Sequence, residues 1–354
     1  PEEVLKKASE EMLNWNSTGM SCMELGHRGQ DFRQIISRAT ESATKLLNLP
    51  STHKLLFMQG GARAQNAIIP MNLLNKNCQC DFVITGYWSE QTAKEAKKYG
   101  VVNVASSENK NFTSIPSPAS WKINKNSSYV HICSNETVHG VEFFELPDLN
   151  LIERGHVPLV VDMSSNILSK NMDFANVGLA YACAQKNIGS AGLTIVVIDE
   201  SLLSDSNERG LSICPSVFNY KNLIKTGSLY NTPPTYSIYM AGLMFEWLIE
   251  KGGITEIEKV NLKKSRLLYE ALDSSDFYQT PVSYKFRSRV NVPFFLPSQE
   301  LNEVFISGAK KQGLLNLKGH SALGGLRASL YNSMPIDGVR ALVTWLKEFE
   351  INYG

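Results

Sequence analysis

The residue with the clearest chemical potential is Lys186, in the segment YACAQKNIGSAGLTIVVI (residues 181–198). It follows small and apolar residues, is flanked by Gln185 and Asn187, and precedes a glycine-containing turn and a strand-like apolar run. Lysine is rarely buried without a partner, because its ammonium group loses hydration there. One explanation is a head group that reaches water from a strand end. The other is an amine kept partly desolvated so that it is nucleophilic, as a Schiff-base former requires.

Three further features of the sequence stand at the ends of predicted strands. The segment MQGGARAQN (residues 58–66) is a glycine turn leading into a helix, where backbone N–H groups and Arg63 could hold a phosphate. It matches neither a dinucleotide fingerprint nor a Walker A sequence, and taken alone it is equally an ordinary strand–helix turn. Trp88 follows a strand, as many core residues do. Asp162 directly follows the apolar run PLVV, and a carboxylate there needs a cationic or hydrogen-bonding partner.

Taken together, these features form one chemical set. A pyridine-ring cofactor needs a lysine for its aldehyde, an acid for its ring nitrogen, an aromatic ring to stack on and a phosphate cup. Lys186, Asp162, Trp88 and the glycine turn supply one of each. Since Lys186 lies 24 residues after Asp162 (186 − 162), the two are expected on neighbouring strand ends. The sequence therefore predicts a site for such a cofactor, with Lys186 as general base and acid.

The elements that must position this set are predicted to form an α/β protein. Between residues 54 and 199, continuous apolar runs alternate with helical patterns, which indicates a mainly parallel central sheet covered by helices on both faces. Ligands of such sheets gather at the carboxyl ends of the strands. Strand-like RSRVNVPFFL and GLRASLYN follow among the last helices. The predicted helices are residues 64–75, SEQTAKEAKKYG with Gly100 as its C′ residue, YNTPPTYSIYMAGLMFEWLIEKGG with Asn231 or Thr232 as its cap, the amphipathic ITEIEKVNLKKSRLLYEAL, a helix near residues 301–312, and residues 336–349. We expect a large domain over residues 1–253, whose first residues pack with the small domain, and a smaller α+β domain over residues 254–354.

Composition excludes several classes of protein. A net charge of +1 over 354 residues gives no support for nucleic acid or an anionic membrane surface as partner. The six cysteines include no C-x-x-C pair, so we expect no metal site and the reduced thiols of a cytoplasmic protein. No apolar run approaches the ~18 residues that span a bilayer, and no signal-peptide pattern opens the sequence.

The sequence resembles the phosphoserine aminotransferase family over almost its whole length. The segments that carry the resemblance, in order, are ELGHRGQDF, FMQGGARAQNAIIPMNLL, GYWSEQTAKEAKKYG, SNETVHGVEF, YACAQKNIGSAGLTIVV, YNTPPTYSIYMAGL, RVNVPFFL and LKGHSALGGLRASLYN. The resemblance implies the aspartate-aminotransferase fold (fold type I), pyridoxal 5′-phosphate, a homodimer, and transamination between phosphoserine and 2-oxoglutarate in serine biosynthesis. Glutamate would be the second product.

The resemblance also implies a role for particular residues. Lys186 would be the aldimine lysine, Asp162 the partner of the ring nitrogen and Trp88 the stacking ring. Thr137 and Gln185 would hydrogen-bond the cofactor. The cofactor phosphate would be contacted by Ala62 and Arg63. The phosphate of the neighbouring subunit's cofactor would be contacted by Asn231 and Thr232, and the substrates by His27, Arg28, His320 and Arg327.

The sequence departs from the family pattern at one substrate-facing position. Family members commonly carry arginine where this chain has Ser321, directly after Gly319 and His320. Three other functions stay open at this point. They are another aminotransferase or lyase with the same cofactor, a nicotinamide-dependent reductase, which should carry a glycine fingerprint not found here, and an inactive relative that only binds the cofactor.

Overall fold

The computed structural model describes residues 1–107, 111–152, 157–204 and 209–354. Eleven strands are formed within these ranges, and seven of them make one central sheet. The strands, in chain order, are β1 (His53–Gln59), β2 (Gln79–Ile84), β3 (Val101–Ser107), β4 (Val130–Cys133), β5 (Asn135–Glu136), β6 (Val141–Glu142), β7 (Leu159–Asp162), β8 (Val177–Cys183), β9 (Leu193–Asp199), β10 (Asn291–Phe294) and β11 (Leu326–Ser329).

The central sheet is mainly parallel, as predicted. Its spatial order is β1-β9-β8-β7-β4-β2-β3. All pairs between β3 and β8 run parallel, whereas β9 is antiparallel to both β8 and β1. Two short antiparallel pairs, β5 with β6 and β10 with β11, complete the strands of the described residues. The loops after β4, β7 and β8 therefore leave the sheet at one edge.

Nine α-helices cover the sheet and build the C-terminal part, counted over the same described ranges. They are α1 (Glu2–Glu11), α2 (Gln30–Leu47), α3 (Gly61–Leu73), α4 (Tyr87–Ala96), α5 (Tyr220–Lys225), α6 (Thr235–Glu250), α7 (Gly253–Asp273), α8 (Gln299–Lys311) and α9 (Ile336–Tyr353). The sequence patterns predict six of these and assign no element before residue 54, where the structure has α1 and α2.

The continuous apolar runs are explained by burial on both faces of the sheet. Along β9, Ile195 and Val197 join a core with α2 and α6, whereas Val196 and Ile198 join a second core with α3 and α4. A strand with helices on both sides needs apolar residues at every position, not at alternate ones. Polar residues of these strands are consequently concentrated at their ends.

A third core lies in the C-terminal part and contains α8, α9, β10 and β11. Helix α7 connects it to the rest, because Ile254 and Ile257 pack in the first core and Leu268 and Leu272 in the third. The division into domains at residue 253 stays a prediction, and it falls where α7 begins. The first residues were expected to pack with the small domain, but α1 packs against α6, with Val4 and Ala8 in the first core.

Several predicted element boundaries were wrong, for local reasons. Helix α6 begins at Thr235, so Asn231 and Thr232 precede the helix and do not cap it. The residue before a proline avoids the α conformation, and Pro233 and Pro234 follow them. Helix α4 begins at Tyr87, which places Trp88 in its first turn. The helix ends at Ala96, four residues before Gly100, so Gly100 is not its C′ residue. Glycine at position 100 is instead required by packing, because a Cβ there would lie 2.4 Å from the Cys78 carbonyl oxygen.

A buried ion pair joins the hairpin of β5 and β6 to the loop after β7. Lys170 Nζ lies 3.1 Å from Glu142 Oε1, with side chains 3% and 0% exposed. Glu142 also accepts hydrogen bonds from Asn166 Nδ2 (3.1 Å) and the Arg289 backbone N–H (2.9 Å). Lys170 donates to the Phe144 carbonyl oxygen at 3.0 Å. Burial lowers the pKa of Lys170, and the Glu142 charge opposes that shift.

We predict that Lys170→Met lowers the free energy of unfolding by about 3–5 kcal/mol, because it leaves Glu142 buried and uncompensated. Urea unfolding at one fixed protein concentration measures this. The double variant Lys170→Met/Glu142→Gln removes both charges, and its loss should be smaller than the sum of the two single losses. A loss below about 1 kcal/mol for Lys170→Met would show that the pair is not buried as described.

Candidate active site

A cavity of about 280 Å³ opens at the carboxyl edge of the sheet. The loops after β1, β4, β7 and β8 and the first turns of α3 and α4 surround it. Its lining residues are Gly60, Gly61, Ala62, Arg63, Asn66, Trp88, Thr92, Cys133, Asn135, Thr137, Asp162, Ser164, Ser165, Cys183, Gln185 and Lys186. Seven predicted cofactor residues, Ala62, Arg63, Trp88, Thr137, Asp162, Gln185 and Lys186, are thus brought together in one chain.

Lys186 is half-buried, not fully enclosed, and its amine lies inside the cavity. Its Nζ donates a hydrogen bond to Thr137 Oγ1 at 2.7 Å. The loop that carries it is held by the neighbouring Asn187, whose side chain donates to the Ser165 and Ile167 carbonyl oxygens and accepts from the Asn332 backbone N–H. The amide beside the lysine therefore fixes its position.

Asp162 is the last residue of β7 and is 7% exposed. It pairs in register with Tyr181 of the neighbouring strand β8, and its Oδ1 accepts a hydrogen bond from the Ser164 backbone N–H at 2.8 Å. Burial raises the pKa of this carboxyl group, while hydrogen bonds from Ser164 and the Lys186 charge lower it. A buried acid of this kind favours a cationic group in the cavity.

A hydrogen-bonded group of side chains lies inside the sheet next to Asp162. The Tyr181 hydroxyl lies 3.0 Å from His131 Nε2 and 3.4 Å from Asn66 Oδ1. His131 is fully buried and stacks on Phe82, with ring centroids 4.8 Å apart. Burial lowers the pKa of His131 to about 3, so its ring is neutral and brings no charge near Asp162.

The glycine turn leads into the N-terminus of α3, where the sequence predicts a phosphate-binding site. Gly60 has a φ of 98°, and a Cβ there would lie 2.6 Å from the Ala64 Cβ, so the turn requires glycine. No side chain caps this helix, so backbone N–H groups of its first turn, including those of Ala62 and Arg63, are available to an anion. The Arg63 guanidinium lies over the Trp88 ring, 5.4 Å from its centroid.

Trp88 is held by a residue that the sequence analysis missed. Its backbone N–H donates to Glu136 Oε2 at 2.9 Å, and the Ser89 N–H and hydroxyl donate to Glu136 Oε1 at 2.9 and 2.6 Å. Glu136 is 0% exposed, and burial raises its pKa to about 7. The signal was present in the quoted segment SNETVHGVEF, where a glutamate stands directly before Thr137 and shortly after the apolar run YVHIC.

Two predicted substrate residues reach the same region from the C-terminal part. The His320 ring lies 4.9 Å from the Tyr87 ring and 6.3 Å from the Trp88 ring. Partial burial and the charges of Arg327 and Arg63 lower the pKa of His320. Arg327 Nη1 donates to the Thr137 carbonyl oxygen at 3.3 Å, and its buried Nε has no hydrogen-bond partner among the described residues.

The other four predicted residues do not line this cavity. His27 is half-buried and Arg28 is exposed, in the segment just before α2. Asn231 and Thr232 are exposed, and the Thr232 carbonyl oxygen accepts from Gln59 Nε2 at 2.9 Å. Ser321 is exposed too. No group of three or more metal-binding side chains occurs among the described residues, and no helix among them is long and apolar enough to cross a membrane.

This fold and the chemistry of the cavity define a class of protein, the pyridoxal 5′-phosphate-dependent enzymes of the aspartate-aminotransferase fold. Comparison with known proteins narrows the class. Residues 1–342 match the model of the family aminotransferase class-V. A phosphoserine aminotransferase from Paraburkholderia phymatum is 52% identical over 352 residues, which cover 99% of this chain and 95% of that protein.

Two solved structures are similar over nearly the whole chain. Phosphoserine aminotransferase from Bacillus circulans subsp. alkalophilus has a TM-score of 0.95 at 39% identity and covers 100% of this chain and 96% of its own. The phosphoserine aminotransferase of Trichomonas vaginalis with bound pyridoxal phosphate has a TM-score of 0.92 at 36% identity, covering 98% and 96%. The chain belongs to the phosphoserine aminotransferase family, as the resemblance predicted.

We predict that His131 makes the fold acid-sensitive. The folded chain keeps His131 neutral down to about pH 3, whereas the unfolded chain protonates it near 6.5. The unfolded state therefore binds more protons below pH 6.5, and the stability that the neutral ring provides is lost as the pH falls. Between pH 8 and pH 5.5 this contribution falls by about 1–2 kcal/mol.

Urea unfolding of the wild type and of His131→Gln at both pH values measures this contribution. Glutamine keeps an amide nitrogen near the position of Nε2 but does not titrate. The wild type should lose about 1–2 kcal/mol more than the variant on acidification. An equal loss in both proteins would mean that His131 is not buried as a neutral ring.

Proposed function

We propose that this protein catalyses the reversible transamination between O-phospho-L-serine and 2-oxoglutarate, giving 3-phosphohydroxypyruvate and L-glutamate, in serine biosynthesis. The observation that carries the proposal is the placement of Lys186 and Asp162 in one cavity, on the loops of adjacent parallel strands, with the N-terminus of α3 opposite. Similarity to phosphoserine aminotransferases over nearly the whole chain supports the choice of substrates.

The residues of the cavity fit pyridoxal 5′-phosphate. The uncapped first turn of α3 and the Arg63 side chain would bind the phosphate group. The indole of Trp88 would lie against the ring, and the buried Asp162 carboxylate would keep the ring nitrogen protonated. Thr137 and Gln185 line the same cavity and would hydrogen-bond the cofactor. When bound, the cofactor supplies an electron-accepting ring that stabilises negative charge on the substrate's α-carbon.

Lys186 would carry out the proton transfer. Its Nζ would hold the cofactor covalently. As general base and acid, the same amine would take the proton from the substrate's α-carbon and later give a proton back. The hydrogen bond from Nζ to Thr137 Oγ1 would direct this amine into the cavity. Because the Asn187 side chain donates one hydrogen bond and accepts another, it would hold the backbone of Lys186 in place during the reaction.

Anionic groups of the substrates would be bound by His27, Arg28, His320 and Arg327. The argument is strongest for Arg327, since its buried Nε lacks a hydrogen-bond partner among the residues that the structure describes, and a substrate carboxylate would satisfy it. His320 lies beside Trp88 and would contact the distal anion. Ser321 offers one neutral hydrogen bond where family members commonly carry arginine, so the two histidines would contribute more to phosphate recognition.

The proposed active unit is a homodimer, with Asn231 and Thr232 of one subunit at the cofactor phosphate of the other. Both side chains are exposed in the single chain, on the segment that leads into α6. Each subunit would consist of a domain over residues 1–253 and one over residues 254–354. A cytoplasmic location agrees with six cysteines that are all free.

We expect Lys186→Ala to fold but to lose transamination by about 10⁴-fold, since the general base is gone. The assay follows glutamate formation from phosphoserine and 2-oxoglutarate. Borohydride reduction of the wild type should fix the cofactor on the peptide that contains Lys186. The matched control is Lys318→Ala, an exposed lysine two residues before His320. Reduced cofactor found on any other lysine would contradict the role of Lys186.

Mixing two inactive variants tests the shared sites. In Thr232→Glu, the new carboxylate would repel the partner's cofactor phosphate. A dimer of one Thr232→Glu subunit and one Lys186→Ala subunit would have both defects in one active site and none in the other. About half of the dimers formed by random mixing have this composition, so the mixture should show about a quarter of the wild-type activity. Mixing Lys186→Ala with Asp162→Ala is the control, and it should restore none. Failure of the first mixture to recover activity would rule out the shared site.

A further inference from the structure

Glu136 is a buried acid for which the proposed reaction has no direct use. It is 0% exposed, and no ion pair involves it among the described residues. Three donors from the first turn of α4 compensate it, the backbone N–H groups of Trp88 and Ser89 and the Ser89 hydroxyl. A buried carboxyl group without a cation costs stability, so a residue of this kind calls for a reason beyond packing.

The first turn of α4 is fitted closely onto this carboxyl group. A Cβ at Gly86 would lie 2.4 Å from Glu136 Cδ, so only glycine permits the helix to begin this near. The Glu136 oxygens also accept two of the first N–H groups of α4, which lack partners within a helix. Trp88 is one of these two residues. The backbone from which its indole extends is thus held by one side chain.

The segment that contains Glu136 contacts three parts of the active site. Its next residue, Thr137, accepts the hydrogen bond from Lys186. His139 Nδ1 accepts from the Tyr87 backbone N–H at 3.1 Å, beside the Trp88 bond to Glu136. Tyr87 in turn packs on His320. One short segment therefore sets the lysine and the aromatic residues relative to each other.

We propose that Glu136 is a positioning residue, which holds the first turn of α4 so that Trp88 presents its indole to the cofactor. It acts through Trp88 and does not touch the reacting atoms. The proposal rests on the proposed function in one respect, since that function identifies the ring beside Trp88 as that of pyridoxal 5′-phosphate. Two measurements test it, and the first needs no cofactor.

Hydrogen exchange of the cofactor-free chain tests the contact itself. Glu136→Gln keeps the size of the side chain but replaces one acceptor oxygen with an NH₂ group that faces a backbone N–H. The Trp88 amide, whose bond to Oε2 is lost when the remaining oxygen keeps both Ser89 donors, should then exchange at least about tenfold faster. The matched control is Glu90→Gln, which breaks only the partly exposed pair with Lys94 on the same helix and should leave this amide unchanged. An unchanged Trp88 amide in Glu136→Gln would overturn the proposal.

A double-mutant cycle on the dissociation constant of pyridoxal 5′-phosphate tests the route through Trp88. We expect Glu136→Gln and Trp88→Phe each to weaken binding about tenfold, as loss of a charge-assisted contact or of aromatic stacking would. The double variant should bind no more than about twofold worse than Trp88→Phe alone. If the two effects multiply, Glu136 acts independently of Trp88 and the proposal is wrong.

Failure of the proposed function would be separately visible. A wild-type chain that binds pyridoxal 5′-phosphate but forms no glutamate from phosphoserine and 2-oxoglutarate would contradict the proposed substrates. Both the exchange of the Trp88 amide and the binding cycle would still be measured on that chain. Their outcomes decide the role of Glu136 whichever substrates the enzyme takes.

Discussion

The active site depends on the parallel pairing of β4, β7 and β8. This pairing sets Cys133 opposite Asp162 and Asp162 opposite Tyr181, so the loops after all three strands leave the sheet at one edge. Thr137 and Lys186 lie on two of these loops and meet at 2.7 Å. Because both faces of the sheet are apolar cores, most polar side chains of these strands lie at strand ends, and the active-site groups gather at this edge. The chemistry thus follows from the way the sheet is buried.

Three buried carboxyl groups near this edge are compensated in different ways, and the difference separates their roles. Glu142 forms an ion pair with Lys170 and stabilises the fold. Among the described residues, the Glu136 carboxyl group has only hydrogen-bond donors from α4 as partners, and it positions Trp88. Asp162 accepts from the Ser164 backbone and lines the cavity, so it is the acid that can pair with a bound cation. The role of a buried acid is therefore indicated by the kind of partner that it has, or lacks, within the chain.

The sequence predicted the mainly parallel sheet, and it also predicted strand-end residues that the structure brings into one cavity, because both depend on local patterns. Apolar runs mark β7 and β8, and polar residues directly after them identify Asp162 and Lys186. The start of α6 was wrong, since the conformation around Pro233 and Pro234 outweighs the capping ability of Asn231 and Thr232. Glu136 was missed because its partners come from α4, 47 and 48 residues earlier in the chain. Contacts of that kind follow from the fold and not from spacing.

Arg327 and His320, two of the proposed substrate residues, belong to a different core from the proposed cofactor residues. Lys186, Asp162 and Trp88 belong to the central sheet and its helices, whereas Arg327 lies on β11 in the third core. Arg327 reaches the Thr137 carbonyl oxygen, and the His320 ring reaches Tyr87 and Trp88. A shift of the third core relative to the sheet would therefore move Arg327 and His320 relative to Trp88 and Lys186. Helix α7 packs in both the first and the third core, so its packing sets where these two side chains lie relative to the sheet.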